Sequence, residues 1–259
     1  MKKINLYNFT NGQEPQPGFP GGNRLSTVIF WGSLWGLTEA SLGFLLHGLN
    51  IPGLAGSVLP AIAFYFLYRL YQSGGSAGDV FGASLIAAGL KSLDIVVSPV
   101  GLMDVINPVQ AIILEGLVAA LALKALSRWP VGSRARIILC GLLFPFGSNL
   151  VYGLAAVIES SVFHSGNIFQ TEPISLASFF LLSPLVTAFI VTSWLMAGEL
   201  KGQVQYRKLK QAASVRTDSL AEIEGQPQTF LERLSCRPAV SLAILAVAIL
   251  SHFAQLWFL

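Results

Sequence analysis

The stretch that decides the fold is Ser26–His47, STVIFWGSLWGLTEASLGFLLH. Before its terminal histidine it holds one ionisable side chain, Glu39; the rest is apolar, small or hydroxylated. A hydrocarbon core roughly 30 Å thick is crossed by about 20 such residues as one helix. This segment has that length, and it is bounded by Arg24 on one side and by the breaker Asn50-Ile51-Pro52-Gly53 on the other.

The same texture repeats along the chain. Helices are expected over residues 26–47, 54–71, 79–98, 107–127, 136–162, 174–198 and 238–258. Breakers separate them: Ser73-Gly74-Gly75-Ser76 after the second and Ser98-Pro99-Val100-Gly101 after the third. Asn107-Pro108 reads as an N-cap followed by proline at the first helical position. Of the 259 residues 53% are hydrophobic and 11% charged, and mean hydropathy is +0.64. A water-soluble domain needs more polar surface than that. The expected fold class is therefore all-α and polytopic: a six-helix transmembrane core at 26–198 plus one extra C-terminal helix at 238–259. A polar N-terminal tail (1–25) and a charged linker (199–237) complete the chain.

The charges orient this array. Fifteen of the 16 Lys and Arg residues fall in the tail, at Arg69 near the end of helix two, between helices four and five, or in the 199–237 segment. The alternate connections carry none. By the positive-inside rule the N-terminus is cytoplasmic, and the protein belongs in the plasma or inner membrane, with lipid as its surroundings. The tail lacks the apolar centre of a signal peptide. A net charge of +3 is explained by topology and gives no reason to expect nucleic acid as a partner. Two cysteines, Cys140 and Cys236, make neither a disulfide framework nor a metal site.

Ionisable groups inside a membrane are costly and need a reason. Glu39 is in helix one, Lys91 and Asp94 in helix three, and Glu115 in helix four. At 1.5 Å rise per residue, Glu39, Lys91 and Glu115 each lie about 10–12 Å inside the outer end of their helices. Three helices thus bring charge to one level in the outer half of the bilayer. Asp94 lies about one turn from Lys91 on the same face. One lysine does not neutralise three carboxylates, so the surplus is protonated, hydrated or matched by a cationic ligand. Trp35, Asn149 and Tyr152 complete the expected substrate-binding set, with Trp31 nearby. The alternative is that Lys91 simply locks helices three and four together, with Asp104 and Asn107 as caps and Glu159 and His164 at the wet interface. His47, His164 and His252 lie toward the outer face, so a metal-handling or membrane-enzyme role stays open beside transport.

Two signatures of soluble catalysis are missing. There is no His-Glu-x-x-His and no P-loop; no enzyme activity, cofactor or metal is expected and the chain does not bind ATP by a P-loop. Gly32, Gly36 and Ala40, spaced by four, form a small-residue stripe that admits another helix closely; that helix is either a neighbour in this chain or a partner.

Six apolar helices with basic loops on one side, a polar level in the outer half, the Gly32/Gly36/Ala40 stripe and no ATP motif together resemble the substrate-binding (S) component of energy-coupling-factor vitamin transporters. The resemblance is one of architecture, over residues 26–198, with glycine at two positions where that family's stripe has alanine and with a seventh helix beyond its usual six. It implies uptake of a small polar nutrient, a docking role for Gly32, Gly36 and Ala40 against a transmembrane coupling subunit, and ATPases supplied by partner proteins. The carboxylate surplus favours a cationic or amine-bearing ligand, such as a thiamine-like heterocycle. A proton-coupled secondary transporter is the alternative that needs no ATPase.

Overall fold

The computed structural model describes residues 23–49, 51, 53–97, 102–127, 129, 134–163, 178–198, 230–235 and 237–254. Every regular element among them is helical. Helix α1 (Arg24–Thr38) runs through a π-helical turn (Glu39–Gly43) into α2 (Phe44–Gly48). Then come α3 (Leu54–Gln72), α4 (Ala77–Ser92), the short α5 (Asp94–Val97), α6 (Leu102–Leu126) and α7 (Arg134–Phe163). A second π-helical turn (Ser178–Leu182) leads into α8 (183–198), followed by α9 (Phe230–Ser235) and α10 (Pro238–Ala254).

The protein is an all-α polytopic membrane protein. Five segments are long and apolar enough to cross a bilayer: Arg24–Leu46, Leu54–Gln72, Val105–Leu126, Arg134–Ile158 and Phe179–Gly198. Helix α4 is shorter, but α5 continues it after Leu93. The C-terminal apolar helix is shorter as well.

Local chemistry explains the ends. Asn23 caps α1, its side chain accepting from the Leu25 N–H. Ser76 and Asp79 form a reciprocal capping box, which starts α4 at Ala77 rather than at 79. Gly53, at φ 76°, supplies the left-handed turn before α3. The expected cap at Asn107-Pro108 is not where α6 begins. The helix starts at Leu102 and carries Pro108 inside it, as α3 and α7 carry Pro60 and Pro145. The run Leu102–Ile106 extends the helix one turn upstream, and Pro108 leaves only the Asp104 carbonyl without its intrahelical donor.

Contacts fix the helix directions. Arg24 at the start of α1 pairs with Asp79 at the start of α4 at 2.7 Å. Thr27 Oγ1 donates to the Ser235 carbonyl, which brings the entry to α10 beside the entry to α1. Gly116 of α6 faces Ser84, and Gly147 of α7 faces Val118. Ser57 and Tyr65 of α3 meet Ser183 and Trp194 of α8. Helices α1, α4, α7 and α10 therefore run one way and α3, α6 and α8 the other. Arg24, Arg69, Lys124, Arg134, Arg136 and Arg237 gather at one end, called here the basic end.

Helix α1 is the centre of the bundle, packed against α3, α4 and α10. Trp31 and Trp35 are fully buried with Phe30, Phe64, Leu67 and Phe144. The C-terminal helix is thus part of the same bundle as the other six, covering α1, rather than an appendage beyond a finished core. Most of 1–25 and 199–237 lies outside the described residues, but the end of the expected linker is helix α9, seated beside Thr27.

Candidate functional site

The candidate site lies on α1, α4 and α6 away from the basic end, α4 packing against both of the others. Glu39 opens the π-helical turn of α1. Such single π turns are frequent at functional positions because they re-aim a side chain within an otherwise regular helix. The Trp35 indole N–H donates to Glu39 Oε1 at 3.2 Å. Glu39 Oε2 lies 3.7 Å from where a methyl on Gly43 would stand, so the glycine at the far end of the turn leaves room beside the carboxylate.

Lys91 and Glu115 lie within electrostatic reach of this carboxylate: Glu39 is attracted by the Lys91 ammonium and repelled by Glu115. The directions of the helices account for the encounter. Side chains lean toward the N-terminus of their helix; α1 and α6 are antiparallel, so Glu39 and Glu115 lean toward each other. Lys91 is also held by Asp94, Nζ to Oδ2 2.7 Å, one turn along in α5. All three of Glu39, Lys91 and Glu115 are half-buried. The cluster has three carboxylates and one ammonium, and that ammonium is already paired.

The other expected members sit elsewhere. The amide nitrogen of Asn149 donates to the Phe179 carbonyl at 2.9 Å, and the Tyr152 ring packs on Phe179 with centroids 5.8 Å apart. Both residues serve the α7–α8 contact, where Asn149 satisfies a carbonyl of the second π turn. That contact lies on a different helix pair from Glu39, Lys91 and Glu115.

The small-residue stripe is filled from within. A methyl on Gly32 would stand 2.7 Å from the Ala83 carbonyl oxygen and 2.9 Å from Ile86 Cβ; one on Gly36 would stand 2.5 Å from Leu90 Cδ1. Ala40 is buried too. Of the two occupants the stripe could take, a neighbouring helix of the same chain is present at Gly32 and Gly36, where α4 packs closely.

Among the described residues no three His, Cys, Asp or Glu are placed to hold a metal ion together. His164 and Cys236 lie outside the described residues, as do the side chains of His47, Asp104, Glu159 and His252. Cys140 is buried in α7.

Two features were not anticipated. Ser57, Ser183 and Thr187 interlock α3 and α8 through Ser183 Oγ to the Gly56 carbonyl and Thr187 Oγ1 to the Ser57 carbonyl, each 2.8 Å. Their only sequence signal was hydroxyls inside apolar spans. At the basic end, Arg24 Nε donates to both Asp79 oxygens at 2.8 Å and Nη2 to Ser76 Oγ at 2.6 Å. The Ser-x-x-Asp spacing was legible as a capping box; its use by an arginine from another helix was not.

No protein-family model, curated protein or solved structure matches the chain.

Proposed function

We propose that this protein is a membrane-embedded binding subunit for uptake of a small polar solute carrying a positive or amine group, with Glu39 and Glu115 as its ligand carboxylates. The observation that carries the reading is a set of ionisable side chains on α1, α4 and α6 away from the basic end, in which the one lysine is already paired with Asp94. Carboxylates in a low-dielectric interior are costly, and Glu39 and Glu115 lack a positive partner of their own. A cationic ligand supplies what is missing. The Trp35 indole N–H, donating to Glu39, holds that carboxylate in position for such a cation. Lys91 and Asp94 brace the outer wall.

In this reading the basic end faces the cytoplasm and the acidic cluster opens toward the exterior, the N-terminus being cytoplasmic. Energy comes from partner ATPases through a transmembrane coupling subunit. Because α4 fills the Gly32 stripe, that subunit docks on a different surface from the one the S-component resemblance implies. A proton-coupled carrier is the second reading, and the lack of a positive partner for Glu39 and Glu115 favours it specifically, since a proton relieves the same cost a cation does.

The test is ligand binding by purified protein in nanodiscs against a panel of organic amines and thiamine-like heterocycles. Glu39→Gln and Glu115→Gln are each expected to weaken binding at least tenfold while the melting profile stays that of a folded protein. Wild-type affinity in both variants removes the site. Uptake into vesicles containing this chain alone, abolished by an uncoupler, selects the proton-coupled reading.

A further inference from the structure

A groove of about 340 Å³ runs between α1 and α10, lined by Leu37, Ala239, Val240, Ala243, Ile244 and Val247. It is open on one side, and its walls carry no polar side chain. Ala239 and Ala243 lie one turn apart on α10, and Val240, Ile244 and Val247 form a second row of the lining beside them. Arg237 stands at the head of that row: positions 237, 240, 244 and 247 share one helical stripe. It is exposed, at the basic end, where its carbonyl accepts from the Val240 and Ser241 N–H groups and fixes the first turn of α10.

We propose that this groove is a binding site for one anionic phospholipid, its acyl chain lying along Ala239–Val247 and its phosphate at Arg237. Three observations favour that occupant. The lining is wholly aliphatic, which suits a hydrocarbon chain and gives a polar ligand nothing to bond. From Ala239 to Val247 the groove extends about 12 Å along α10, close to the roughly 15 Å of one leaflet's hydrocarbon. Among the described residues the charge at the head of this stripe, Arg237, is positive, and the leaflet against the basic end is the one that carries anionic lipid. The polar, proline- and glycine-rich residues 1–22 are chemically unsuited to such a surface. The site is independent of the acidic cluster, which lies beyond Leu37 toward the other end of α1.

The experiment is native mass spectrometry of the full chain, released from nanodiscs of phosphatidylcholine with 20 mole per cent or so of phosphatidylglycerol. The expected result is one retained phosphatidylglycerol per chain. Arg237→Gln should reduce its retention about fivefold relative to phosphatidylcholine, the effect of one basic residue at an anionic surface. Ala243→Phe, which fills the groove, should abolish retention of both lipids. Leu154→Phe, a change at an exposed position of α7 remote from the groove, should leave retention intact and controls for a general loss of lipid. Equal retention of phosphatidylglycerol by wild type, Arg237→Gln and Ala243→Phe overturns the proposal. So does a lipid-free dimer that Ala243→Phe dissociates, which would make the groove a contact between copies.

Discussion

Replacing Gly32 by alanine is expected to destabilise the protein far more than the size of a methyl group suggests. The added carbon would stand 2.7 Å from the Ala83 carbonyl oxygen, 2.9 Å from Ile86 Cβ and 3.2 Å from Ala83 Cα. Two of those atoms are backbone and the third is bonded to it, so no side-chain rotation relieves the clash; α4 itself must retreat. Overpacking of this kind costs about 1–3 kcal/mol, and Gly32→Ala belongs near the top of that range. Gly36→Ala meets Leu90 instead, with Cδ1 at 2.5 Å and Cβ at 3.0 Å. The leucine tip can swing away, so about 1–2 kcal/mol is expected. Gly89, on the exposed side of α4, has nothing within 4 Å of its added carbon, so Gly89→Ala should be neutral or gain up to about 1 kcal/mol from helix propensity. The assay is reversible unfolding in mixed micelles, with Leu90→Ala added to Gly36→Ala as a double-mutant cycle. Relief by the second change should appear as a coupling of about 1 kcal/mol or more. If Gly32→Ala is as stable as Gly89→Ala, the α1–α4 contact is not what fills the stripe. A Gly32→Ala chain that is fully stable alone but fails to assemble with another protein would return the stripe to a partner.

Two further outcomes follow from the polar contacts. Lys91→Met leaves Asp94 facing the bundle without its ammonium and should cost about 2–3 kcal/mol, less than for a fully buried pair because the Lys91 side chain keeps 21% exposure; Lys91→Met with Asp94→Leu should recover most of that loss in the same unfolding assay. Asn149→Ala removes the donor to the Phe179 carbonyl and should cost about 1–3 kcal/mol, with faster hydrogen exchange confined to the second π turn and the start of α8, and with ligand binding unchanged.

What could be read before the structure was what depends on one helix at a time. Apolar length and breakers placed the helices expected at 26–47, 54–71 and 136–162 to within two residues. Azimuth is different, because the sequence does not say which face of a helix meets which neighbour. Asn149 and Tyr152 were at a suitable depth, yet they turn to α8. Small residues announced a close approach at Gly32 and Gly36 without naming α4 as the helix that makes it. Asn107-Pro108 has the local form of a helix start, but the upstream apolar run prolongs the helix through it. The π turn at Glu39 had no signal at all, since it reflects how α1 adjusts between α3, α4 and α10.

The placement of α1 sets a timetable for assembly. The helix synthesised first among those described is walled on one side by the helix synthesised last, α10. At about 5–20 residues per second, the 189 residues between Gly48 and Pro238 take on the order of ten to forty seconds to emerge. Throughout that interval the Leu37 flank of α1 lies bare to the lipid or to the insertion machinery. For α1 the docking of α10 is therefore a late closing step, and a chain halted before Pro238 would leave that flank uncovered.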